Sequence, residues 1–266
     1  MQGAIVGDIV GSVFERAPVK HTKFPLFTKQ SRFTDDTVLT LATAHALLTG
    51  SAFNRSYHEF GNRHPNAGYG SAFRFWLRAR APEPYGSYGN GSAMRVSPVA
   101  WVAQTEDECL ALAQSSAEAT HNSPEGIAGA QAVALAIWMA RHRADKATIR
   151  EAIARRFGYD LNRTVASIRP TYTFDVTCQG SVPEAIVAFL DSDSVESAIR
   201  LAISLGGDAD TQAAIAGSIA EAAYGEVPGE LWREAEGRLS ADLLDVCRKW
   251  DDRYRIGGAA VRAGRD

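Results

Sequence analysis

The chain of 266 residues is 45% hydrophobic and 22% charged, a composition that sustains a packed core and excludes disorder over most of its length. Its 28 Lys and Arg against 31 Asp and Glu give a net charge of -3, which argues against a membrane surface or nucleic acid as a general partner bound through a global positive field and leaves an ADP-ribosylated nucleic-acid end open. Cys109, Cys178 and Cys247 lie far apart without a C-x-x-C, so a disulfide framework and a thiolate zinc knuckle are excluded and a reducing, cytoplasmic compartment is expected.

The first stretch, MQGAIVGDIVGSVFER, has no basic residue before its apolar run, and Asp8 interrupts it, so it reads poorly as a secretory signal. Asp8 itself, in G-D-x-x-G, reads as a local backbone hydrogen-bonding residue. Ala clusters with Leu, Ile and Glu in segments that predict helices over 36–49, 106–119, 125–142, 145–157, 183–190, 194–204, 211–224 and 240–254. No apolar run reaches the roughly 18 residues of a membrane span. The nearest approach to a strand is 171–178, rich in Thr, Tyr, Phe and Val but isolated between Pro170 and Gly180. An all-α bundle therefore fits best. Residues 80–92 and 158–182 are the long irregular stretches, the kind of loop that carries function. No linker divides the chain, so one domain is expected over 1–256, followed by a frayed tail at 257–266.

Two acidic clusters each open a predicted helix. Thr34-Asp35-Asp36-Thr37 precedes VLTLATAHALL, and Gly206-Gly207-Asp208-Ala209-Asp210-Thr211 precedes QAAIAGSIAEAAYG. Helix capping explains one acid or hydroxyl at such a position. Each cluster holds two acids and a hydroxyl, and this hard-oxygen chemistry also suits divalent cations. If the two helix starts face each other, four carboxylates need cations between them, which makes a binuclear site the second open reading. The loop Gly86-Ser87-Tyr88-Gly89-Asn90-Gly91-Ser92 has the glycine spacing of a backbone anion nest, although it matches neither a Walker A nor a dinucleotide motif, and a plain turn is the alternative.

Five blocks in order, GAIVGDIVGSVFE (3–15), FTDDTVLTLATAHALL (33–48), GSYGNGSAMRVSPVAW (86–101), THNSPEGIAGAQAVALA (120–136) and SLGGDADTQAAIAGSIAEAAYG (204–225), resemble the ADP-ribosylglycohydrolase family, which includes dinitrogenase reductase-activating glycohydrolase and the ADP-ribosyl-serine and ADP-ribosyl-arginine hydrolases. The resemblance implies a compact orthogonal helical bundle with two divalent ions, usually Mg2+ and in some members Mn2+. It implies metal ligation by Thr34, Asp35, Asp36, Asp208, Asp210 and Thr211, with Asp35 and Asp36 also counted as catalytic. Glu15 matches an acidic residue of the ADP-ribosyl-serine hydrolase branch, and the resemblance gives it the proton-handling role. Gly86, Ser87, Tyr88 and Gly89 are similar to that branch's diphosphate loop, Asn90 lies in the same motif, and His121 matches a histidine that contacts ADP-ribose. Ser123 stands where some relatives carry a second His.

The expected reaction is hydrolysis of an ADP-ribose-containing substrate, an ADP-ribosylated protein or a small ester such as O-acetyl-ADP-ribose, through an oxocarbenium-like state. A two-metal phosphohydrolase and a non-catalytic ADP-ribose-binding module are the competing functions. Arg95 reads either as the partner of an internal carboxylate or as support for the glycine loop. Tyr88, Tyr172 and Phe174 read either as adenine-stacking residues or as core plugs. His21, His45, His58, His64 and His142 read as surface or satisfied core groups.

Overall fold

Fifteen α-helices and no strand make up the residues that the computed structural model describes, 1–255. In chain order they are α1 (Gln2–Gly11), α2 (Asp35–Thr49), α3 (Phe53–Arg63), α4 (Ser71–Arg78), α5 (Gly91–Met94), α6 (Ser97–Val102), α7 (Glu106–Glu118), α8 (Pro124–Arg141), α9 (Lys146–Phe157), α10 (Val165–Ile168), α11 (Cys178–Leu190), α12 (Val195–Ile203), α13 (Ala209–Tyr224), α14 (Gly229–Glu236) and α15 (Ala241–Trp250). A π-helical turn, Asp251–Arg255, follows. The tail expected to fray, 257–266, lies outside the described residues. Among them no helix is long and apolar enough to cross a membrane.

Side-chain caps set many helix starts. Thr34, Thr105, Ser123, Asp145, Thr164, Thr177 and Ser194 each accept a hydrogen bond from a first-turn N–H. The Thr177 cap explains why α11 begins at Cys178, five residues before the helix predicted from Pro183 onward. It also ends the strand-like run at 171–178, which forms only an isolated antiparallel bridge between Gly89 and Thr177. The long stretch 158–182 is interrupted too, by α10 and its capping box. Seven of the helices, α1, α3, α4, α5, α6, α10 and α14, were absent from the sequence prediction.

Of these, α1 matters most for the site. Gly3, Gly7 and Gly11 weaken its helix propensity, which hides it in the sequence. The same glycines make one face of α1 flat, and α13 lies directly on it. A Cβ on Gly7 would stand 2.1 Å from the Ala213 carbonyl oxygen, and one on Gly11 would stand 2.4 Å from Asp210 Cα. Backbone-to-backbone contact therefore brings Asp8 of α1 beside Asp210 of α13. All ten residues of α1 are buried, and α8, α11 and α12 enclose the other sides of α13. Gly7→Ala is expected to lower unfolding stability by about 2 kcal/mol or more, because the obstacle is rigid backbone. Gly70→Ala, at the N-cap of α4 with open space for the added Cβ and a φ of -58° that any residue adopts, is expected to lower it by less than about 1 kcal/mol. Urea unfolding of the two variants measures the contrast.

Candidate active site

The two acidic clusters meet. Thr211 Oγ1 donates to Asp36 Oδ2 at 3.3 Å across the gap between α13 and α2. Asp8, Asp36 and Asp210 each present a carboxylate oxygen within 4.8 Å of the others. Thr34 Oγ1 accepts the Asp36 N–H and lies 2.7 Å from Asp8 Oδ1, to which it donates. Asp8 Oδ2 accepts the N–H groups of Thr34 and Thr37 and the Thr37 hydroxyl. The local hydrogen-bonding reading of Asp8 thus holds, and the residue is in addition a wall of the cluster.

Capping accounts for Thr34 but fails for the second cluster. Asp208 occupies the N-cap position of α13 and makes no capping hydrogen bond. Its Oδ2 instead accepts from Asn90 Nδ2 at 2.7 Å. Asp36 Oδ1 is buried with no hydrogen-bond partner. Burial, reinforced by the Asp210 charge, pushes Asp8, Asp35, Asp36 and Asp208 above the ordinary carboxylate range. Among the described residues no Lys or Arg forms an ion pair with any of them.

Asp35, Asp36, Asp208 and Asp210 form the floor of a cavity of about 360 Å³, and Asp8 lies buried behind them. Glu15, half-buried, stands on its wall, raised by burial and the Asp210 charge and opposed by Arg16 and Arg32. The glycine loop forms another wall. Gly86, at φ 67°, donates its N–H to Asn122 Oδ1, and Gly89 donates to Ser87 Oγ. Asn90 N–H binds the Val176 carbonyl, Cys178 N–H binds that of Tyr88, and Ser123 Oγ binds that of Ser87. Among the described residues the Ser87 and Tyr88 N–H groups have no hydrogen-bond partner, which leaves them free to bind an anion. His121 is buried beside the loop, with Nε2 3.1 Å from the place a Gly91 Cβ would take.

Thr34, Asp35, Asp36, Asp208, Asp210 and Thr211, together with Glu15, Ser87, Gly89, Asn90 and His121, line this cavity. Gly86 sits behind the loop and Tyr88 projects outward, 57% exposed. Phe174 lines the cavity and is 53% exposed, whereas Tyr172 is a plug whose hydroxyl bonds the Gly180 carbonyl and Gln212. Asn90 spends its side-chain amide on Asp208. The sequence analysis does not single out Arg16, Arg32, Tyr85 or the start of α4, which also line the cavity. The arginines carry a local signal, since Arg16 adjoins Glu15 and Arg32 lies two residues before Thr34.

The profile of the ADP-ribosylglycohydrolase family matches residues 1–256. The chain belongs to this family. Among curated relatives, ADP-ribosylhydrolase ARH3 of Mus musculus is 27% identical, covering 92% of this chain and 88% of its own, and that of Homo sapiens is 27% identical, covering 92% and 90%. ADP-ribosylarginine hydrolase Tri1 of Pseudomonas putida is 25% identical over 94% of this chain and 78% of its own. A solved ADP-ribosylglycohydrolase-related protein complex superposes with a TM-score of 0.68 at 25% identity, covering 96% of each chain.

In this ADP-ribosylglycohydrolase the buried acids fit a divalent cation. The donors are all hard oxygens, one of them has no partner, and among the described residues none forms an ion pair with a Lys or Arg. The family assignment makes the protein a hydrolase of ADP-ribose linkages.

Proposed function

We propose that the chain is a divalent-metal-dependent hydrolase that cleaves the bond between the distal ribose of ADP-ribose and an acceptor and releases ADP-ribose. The observation that carries this reading is the Thr211–Asp36 contact, which joins both acidic clusters on the floor of one cavity whose wall is an anion nest. Thr34, Asp35, Asp36, Asp208, Asp210 and Thr211 would hold two Mg2+ or Mn2+ ions, with Asp8 bracing the first cluster. When bound, such ions supply a positive template for the ribose hydroxyls and Lewis acidity at the anomeric centre. The Ser87 and Tyr88 N–H groups bind the diphosphate, with Arg16 and Arg32 on the cavity wall adding positive charge that the net charge of -3 does not reveal. Exposed Tyr88 and Phe174 at the rim supply stacking faces for the adenine.

Glu15 moves the proton, as base toward water or acid toward the leaving oxygen. Its place and the GSYGNG loop favour an O-linked acceptor such as modified serine. Residues 1–256 act as one catalytic domain, the span of the family match. The three buried, unpaired cysteines agree with a cytoplasmic setting. Mass spectrometry of matched Ser-linked, Arg-linked and O-acetyl substrates, incubated with enzyme and Mg2+, tests the proposal. Free ADP-ribose from the O-linked substrates is expected. Cleavage of the diphosphate to AMP would identify the phosphohydrolase instead, and tight ADP-ribose binding without product would identify a binding module.

A further inference from the structure

Arg95 follows α5, is 0% exposed and forms no ion pair among the described residues, so the internal carboxylate considered for it is not found there. Its guanidinium lies 4.0 Å over the Tyr57 ring. Nη2 donates to the Ser116 carbonyl at 3.1 Å and to Thr120 Oγ1 at 2.9 Å, while Nε and Nη1 have no protein partner. Thr120 Oγ1 in turn lies 2.6 Å from His121 Nδ1. Arg95 can only donate, so the Thr120 oxygen is an acceptor on that side and its single proton must go elsewhere. Thr120 is fully buried, and His121 Nδ1 is the one acceptor within its reach. A proton on Nδ1 would leave the threonine proton buried without a partner, at the cost of about 1–3 kcal/mol. Nδ1 therefore accepts, and the ring proton sits on Nε2, which faces Gly89 and Gly91 in the cavity and has no protein partner.

We propose that Arg95 and Thr120 are positioning residues that lock His121 in its Nε2–H tautomer, as a fixed hydrogen-bond donor to an anionic oxygen of the bound diphosphate. Burial, with the Arg95 charge beside it, holds the imidazole well below its ordinary range, so the ring stays neutral and cannot offer Nε2 as a base. The role toward the diphosphate rests on the function proposed above; the tautomer does not.

Long-range 1H–15N correlation spectra of histidine-labelled, ligand-free protein test the lock directly. The His121 signals, assigned by their loss in His121→Gln, are expected to show the Nε2-protonated pattern in the wild type and in Thr120→Ser. Mixed tautomers are expected in Thr120→Val and in Arg95→Met. With an ADP-ribosylated substrate, Thr120→Val is expected to raise KM about tenfold with kcat within about twofold, and Thr120→Ser is expected to restore KM. An Nδ1-protonated wild type overturns the proposal even if every variant fails to fold. So does a Thr120→Val protein whose tautomer and KM match the wild type. Absence of ADP-ribose binding by the wild type, with the Nε2–H pattern intact, would overturn the proposed function and with it only the diphosphate role of His121.

Discussion

Glu15→Gln is expected to lower turnover about 10³-fold and to leave the affinity for ADP-ribose within about threefold. The substitution keeps the size of the side chain and removes its ionisable carboxyl, exchanging one acceptor oxygen for an NH2 donor. Glu15 stands just beyond α1, half-buried on the cavity wall, where burial and the Asp210 charge raise its carboxyl above the usual range. A raised carboxyl carries a proton closer to neutral pH, which is what an acid toward a leaving oxygen needs. Arg16 and Arg32 oppose the rise, since their positive charge favours the carboxylate form that acts as a base toward water. Single-turnover rates give the chemical step, and calorimetry with ADP-ribose gives the binding. Turnover within tenfold of the wild type would remove Glu15 from proton transfer and leave the acidic clusters as the whole catalytic apparatus.

The parts of this site that are local in sequence were legible there. T-D-D-T and D-x-D-T each place hard oxygens at a helix start, and their redundancy over a single cap marked them before any contact was known. Their meeting was legible only as a condition, because Thr211 and Asp36 are 175 positions apart. Helix α1 was not legible at all. Its glycines at 3, 7 and 11 read as helix weakeners, and their purpose, the backbone contact with α13, exists only after packing. Asp8 was read through its own neighbours for the same reason, so its place beside Asp36 and Asp210 was missed. Arg95 posed two alternatives that only the position of Thr120 could separate. The first turn of α11 was hidden by Pro183, which draws attention to itself as a helix start while the actual cap lies six residues earlier at Thr177.

Removal of divalent cations is expected to leave a protein whose thermal stability falls as pH rises. In the free protein Asp8, Asp35, Asp36 and Asp208 all have carboxyls raised above the ordinary 3.8, Asp8 to about 7. A group with a raised folded-state pKa binds its proton more tightly when folded. Its contribution is complete below the unfolded value and is lost as pH climbs through the folded one. The loss therefore begins near 4 and, for Asp8, continues to about 7. Bound cations favour the ionised carboxylates, so Mg2+ should raise Tm by about 5 °C or more at about pH 8 when present at 100 times its Kd, and by much less at about pH 5. Asp36→Asn separates this account from a general salt effect. It removes one of the clustered charges, so the chelated variant should melt above the chelated wild type at about pH 8, while its Mg2+ response and its turnover both disappear. A variant that is more stable than the wild type and inactive would show that charge repulsion at this site is retained for function. A variant that keeps the wild-type Mg2+ shift would remove Asp36 from the ligand set.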